Sequence, residues 1–211
     1  MKTNILLVLA ITVLHCNLFA QAEKGDVLLG TQFSYFSNKT NSNSDYNEYL
    51  LFPSVAIYFS PKFNMGLGVE FFGYDEQEEI STPNGGSEII DTEFRLRTYS
   101  VIANAHSKLT ERLYFNVGFN LGIGRGSVNY DNDFTSKISS LGFSIRPGLF
   151  YFASKALVLT ANIGQLSVGT SEESVDDSNN LPFNPRPVTS ERVRVGLGFQ
   201  SINFGVSFLI D

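Results

Sequence analysis

Apolar and polar residues alternate with a period of two along much of the chain, most cleanly at 113–124. Leu113, Phe115, Val117, Phe119, Leu121 and Ile123 fall on one set of positions, and Tyr114, Asn116, Gly118, Asn120, Gly122 and Gly124 on the other. A period of two gives a strand with two different faces. The bulky face suits lipid and the small, polar face suits a watery interior. In a soluble sandwich the bulky face would turn inward and leave a run of Gly and Asn exposed, in a strand that Gly already weakens. A tilted strand crosses a bilayer in roughly 9 to 11 residues, about the length of this segment.

The same alternation marks seven further segments, at about 27–36, 49–59, 65–74, 92–105, 138–152, 157–168 and 192–210. The segment at 92–105 is the least regular. Its phase is clear where Phe94 and Leu96 oppose Arg95 and Arg97, then blurs, which predicts a bulge. A second bulge is expected between Phe199 and Ile202, where the last segment changes phase. The connections alternate in length: 60–64, 107–112 and 153–156 are short, whereas 37–48, 75–88, 129–137 and 169–191 are long and polar. Short periplasmic turns and long outer loops are the arrangement of a transmembrane barrel. Lipid offers no partner to a free strand edge, so the sheet must close. The pattern therefore predicts an all-β fold, an eight-stranded antiparallel up-and-down transmembrane β-barrel.

The N-terminus changes the picture by adding an address. Lys2 precedes an apolar run at 5–14, and Ala20-Gln21-Ala22 has the small-x-small form of a secretory cleavage site. Residues 1–22 are expected to be a signal peptide and 23–211 the barrel domain. The run is far shorter than the roughly 20 residues a spanning helix needs. Cleavage would remove Cys16, the one cysteine, so packing and backbone ladders rather than disulfides must hold the exported chain.

These segments, with Phe-Pro-Ser-Val-Ala-Ile-Tyr-Phe at 52–59 and Asn-Phe-Gly-Val-Ser-Phe at 203–208, resemble the small outer-membrane β-barrel domain family, the OmpA/OmpX-like barrels of Gram-negative bacteria. The resemblance covers the segments of the expected mature chain and specifies architecture rather than activity. It implies a location in the cell outer membrane, contact with outer-membrane lipid and lipopolysaccharide, and insertion by the barrel-assembly machinery. Family members usually finish on an aromatic residue, whereas this chain runs past Phe208 to Leu209, Ile210 and Asp211. The peptidoglycan-binding domain of some relatives is not expected.

Composition and charge bound the chemistry. The formal net charge is −6, so nucleic acid is not an expected partner. Residues 75–93 hold seven acids and no base, and 172–191 hold five acids with Arg186 alone among them. Such loops are either solvated surface or a site for a surface partner. Asp131-Asn132-Asp133 opens like a calcium loop, but Ser136 stands where the sharp turn needs Gly, and no metal or cofactor is expected. Gly122-x-Gly124-x-Gly126 continues a strand rather than opening a helix, so it is no phosphate loop. The mature chain has one histidine, His106, beside Ser107 and a short turn. That is too close in sequence for a positioned nucleophile and base, and no enzyme activity is expected.

On these phases Glu70, Arg95, Arg97, Arg146, Asn116, Asn120 and Asn162 are predicted to point into the lumen, with Glu70 and Arg146 at similar depth as part of a plug or narrow gate. Aromatic residues beside the short turns (Tyr58, Phe59, Phe63, Tyr114, Phe115, Phe150, Tyr151, Phe152) are predicted to form an interfacial girdle. An eight-stranded barrel is just wide enough for side chains to fill it. The expected role is a structural or surface-interaction barrel with a largely filled lumen. A narrow channel for ions or small solutes is the alternative, and a secreted lipocalin-like carrier would require every face to be inverted.

Overall fold

The computed structural model describes residues 22–40, 44–81, 87–130, 134–175, 188–196 and 202–211. Of the expected signal peptide only Ala22, its last residue, falls within them. Ten strands form one antiparallel sheet: β1 (Val27–Thr40), β2 (Ser44–Ser60), β3 (Phe63–Ser81), β4 (Ser87–Lys108), β5 (Leu113–Tyr130), β6 (Phe134–Phe152), β7 (Leu157–Ile163), β8 (Gln165–Val175), β9 (Val188–Gly196) and β10 (Ile202–Ile210). Each strand up to β6 pairs with its predecessor. β7 and β8 are the halves of a seventh stave, both paired to β6, and β9 and β10 are the halves of an eighth. The ring closes where β1 pairs with β10, from Val27↔Ile210 to Phe33↔Phe204. This is the eight-staved antiparallel barrel that the alternation predicts.

The faces follow the sequence pattern. Leu121 and Ile123 expose 54% and 61% of their surface on the outside, while Asn116, on the other face of β5, exposes 2%. Leu51, Val55 and Ile57 of β2, Leu67 of β3, Val101 of β4, Leu141 of β6, Leu159 of β7 and Phe204 of β10 continue this apolar belt around the wall. The core is the lumen, as the polar face required.

One local expectation changes, and one break is new. β4 carries no bulge, since its register against β3 and β5 is unbroken from Ser87 to Lys108. Its phase blurs because aromatic and charged residues exchange sides above the belt, as described below. The bulge expected between Phe199 and Ile202 falls on 197–201, outside the described residues. A break that alternation did not predict stands at Gly164, whose φ of +70° lies in the left-handed region that glycine adopts freely. It shifts the register on β6 from Gly148↔Asn162 to Ile145↔Leu166, so Gln165 turns inward and Leu166 and Val168 turn outward.

Much of the expected outer loops is also strand. β1 and β2 stay paired to Thr40↔Ser44, and β3 and β4 to Ser81↔Ser87. A polar hairpin above a membrane still satisfies its backbone by pairing, so the ladder continues after the apolar pattern ends.

Candidate functional site

The short-turn end of the lumen is filled. Leu28, Ala56, Tyr58, Ile102, Tyr114, Phe150, Phe152, Val158 and Leu209 form a buried cluster. The segment before β1 is held there by hydrogen bonds from Gly25 N to Tyr58 O (2.8 Å) and from Tyr58 N to Asp26 O (2.9 Å). His106 faces this cluster between the rings of Tyr58 and Phe150, and the Asn64 amide donates to its Nε2 at 3.0 Å. Ser107 is exposed on the other face of β4, so the two neighbours point apart.

Above the cluster the lumen becomes polar. Asn104 donates to Asn64 (2.8 Å) and Asn162 donates to Gln32 (2.8 Å), linking strands across the interior. A cavity of about 40 Å³ between Phe52, Asn116, Arg146 and Asn162 is large enough only for water. At mid-height Arg146 Nη2 donates to Glu70 Oε2 at 2.7 Å, and their side chains are 10% and 16% exposed. Arg146 Nε also donates to Gln165 (3.1 Å), which the bulge at Gly164 turned inward, and its guanidinium lies 5.7 Å from the centre of the Phe52 ring. Gly68 makes room for that ring, because a Cβ there would collide with it. Of the predicted lumen charges, the structure brings Glu70 and Arg146 together.

Beyond this pair the lumen opens outward into a vestibule of about 500 Å³. Tyr74 and Phe94 stack with centroids 4.9 Å apart, and Tyr46 lies over Tyr74 at 5.6 Å. The Tyr46 hydroxyl donates to Glu48 at 2.7 Å. Tyr46 stands above the apolar belt, and burial followed by the Glu48 carboxylate holds its phenol well above the ordinary tyrosine range. It is therefore a neutral donor at physiological pH.

Arg95 and Arg97 do not reach the lumen. On β4 it is Phe94, Leu96 and Thr98 that line the vestibule, while Arg95 and Arg97 stand on the outer wall. Arg95 pairs with Asp75 and Glu93, both at 2.7 Å, and lies over the Tyr49 ring. Arg97 lies over Phe71, with 5.3 Å between guanidinium and ring centre. The expected rule of apolar outside and polar inside holds only within the hydrocarbon. Above it the outside is wet, so arginines go out and aromatic rings fill the widening interior. Arg125 of β5, which the sequence pattern did not single out, shares this wall as the register partner of Arg97.

A closed ring, an apolar belt and a polar interior meet the three demands of a bilayer on a strand protein. No protein-family profile matches the chain and no curated protein matches its sequence. Solved structures do. The outer membrane protein OprG from Pseudomonas aeruginosa is similar with a TM-score of 0.58 and 12% identity, over 90% of this chain and 98% of that one. The N-terminal β-barrel domain of OprF from the same organism covers 90% of this chain and all of its own, at 11% identity and a TM-score of 0.49. A major outer membrane protein from Thermus thermophilus gives 0.49 at 13% identity, over 88% and 99%. The chain has the fold of a small outer-membrane β-barrel.

In an outer-membrane barrel the aromatic residues beside the short turns divide between two tasks. Phe59, Phe115 and Tyr151 face outward, where a girdle is expected, but Tyr58, Tyr114, Phe150 and Phe152 face inward and belong to the plug. The girdle expectation is thus half corrected. Consecutive aromatics in a strand necessarily point to opposite faces, and at this end both faces have apolar volume to fill.

Proposed function

We propose that this chain is a closed outer-membrane anchor that holds stiff polar hairpins at the cell surface, and that it works by surface contact rather than by transport or catalysis. The observation that supports this most is the filled short-turn end of the lumen, where aromatic and aliphatic side chains from β1, β2, β4, β5, β6, β7 and β10 meet below the Glu70–Arg146 pair. An eight-stranded interior has little width to spare, and here that width is taken. The hairpins gain their stiffness from continued pairing, as β3 and β4 show up to Ser81↔Ser87. Among the described residues no group of His, Cys, Asp and Glu is arranged to hold a metal ion. The acidic hairpins are the surface offered to a partner on another cell or molecule, and outer-membrane lipid surrounds the belt.

Planar-bilayer recording tests the closed reading. The wild-type barrel is expected to give no stepwise conductance. Regular steps would overturn the anchor and favour a narrow channel. In that event unchanged steps in Glu70→Gln and Arg146→Met would place the conducting path away from the charge pair.

A further inference from the structure

The outer wall carries an arrangement that the anchor role leaves unused. Arg97 and Arg125 are register partners on β4 and β5, both on the outward face and both exposed. Like charges directly opposite each other across two strands repel and destabilise the pairing. Asp75 and Glu93, four residues further out on β3 and β4, are both taken by Arg95, and Glu172, level with Arg125 across Ser139, makes no ion pair with it. Among the described residues no carboxylate lies within ion-pair distance of Arg97 or Arg125.

Their height on the wall says what meets them. Tyr99 and Ile123, two residues further toward the membrane on each strand, belong to the apolar belt and expose 56% and 61% of their surface. A step of two residues is about 7 Å along a strand. A charge on the lipid face costs several kcal/mol at the bilayer midplane but about 0 to 1 near the interface, so paired arginines here must sit at headgroup depth. Tyr49 and Tyr99 flank them, the aromatic type enriched at that depth. With Phe71 and Arg95 they line a hollow of about 750 Å³ on the outer wall.

We propose that Arg97 and Arg125 bind a phosphate of an anionic outer-leaflet lipid headgroup, with the acyl chains of that lipid lying down the belt over Tyr99, Ile123 and Leu121. The guanidinium fork suits a phosphate, which it can bond through two parallel N–H donors, and one phosphate between the two groups removes their mutual repulsion. The inference rests on the membrane-spanning reading above but not on whether the lumen conducts.

Native mass spectrometry of the detergent-solubilised barrel tests it, with bis-phosphorylated lipid A as the probe and the dephosphorylated lipid beside it. Wild type is expected to retain the phosphorylated lipid and to bind the dephosphorylated one at least about tenfold more weakly, the weight of losing a charged hydrogen bond. R97Q/R125Q should show a similar loss, R97K/R125K an intermediate one, and Arg112→Gln, near a short turn, none. Equal binding by R97Q/R125Q, equal binding of the two lipids, or displacement by excess inorganic phosphate would overturn the proposal, the last by showing a free-anion site. Heat-dependent gel mobility of each variant reports its fold separately, so loss of the barrel is not mistaken for loss of the site. Should R97Q/R125Q not fold, the comparison of the two lipids on wild type still decides.

Discussion

Arg146→Met removes the cation from a carboxylate that the lumen holds nearly out of water. Breaking a buried ion pair from one side typically costs about 3–5 kcal/mol, because the remaining charge is left uncompensated. Glu70 faces the outward-open vestibule of about 500 Å³, so water can reach part of it, and the expected cost falls to roughly 2–3 kcal/mol. Glu70→Gln keeps an oxygen that can accept from Arg146 and leaves a cation still bonded to Gln165 and resting on Phe52, for a cost of about 1–2 kcal/mol. The double variant removes both charges together. Its cost should fall short of the sum of the two by at least about 1 kcal/mol, as for residues in direct contact. The chain has no tryptophan, so a urea titration of the barrel refolded in detergent is best read from the gel mobility of unboiled samples. Strictly additive costs, or a loss under about 0.5 kcal/mol for Arg146→Met, would refute a buried and coupled pair.

Leu121→Arg places a charge at the centre of the belt and should cost about 2–4 kcal/mol in lipid, whereas Asn120→Ala, on the lumen side of the same strand, should cost under about 1. The same titration in vesicles checks the contrast, and equal costs would invert or erase the two faces of β5. Gly164→Val forces a branched side chain into a left-handed conformation and should lose at least about 1–2 kcal/mol, with Gly164→Asn losing less.

The barrel was legible in the sequence because two constraints repeat at every stave. Lipid fixes one face, as at Leu121 and Ile123, and limited lumen width fixes the other, as at Gly122 and Asn116. Glu70 and Arg146 could be matched in depth by counting from their turns, and the structure joins them. The errors lie where those constraints lapse. Above the belt water replaces lipid, so Arg95 and Arg97 find carboxylates and rings outside, while Phe94 and Leu96 take the vestibule side. At the short-turn end both faces accept apolar volume, and alternation alone could not divide Tyr58 from Phe59. The break at Gly164 did leave a signal. Outward apolar residues pass from odd positions, ending at Ile163, to even ones at Leu166 and Val168, with a glycine between. The hairpin extensions left none, because polar strands and polar loops share one composition.

A closed barrel with its apolar side in lipid can be read from the heat-dependent gel mobility of the protein in washed outer membranes, beside the soluble fraction. A membrane-retained band should change mobility only after boiling in detergent, as a closed ladder resists unfolding until heated. Soluble protein with one mobility, boiled or not, would contradict it and turn the apolar faces inward.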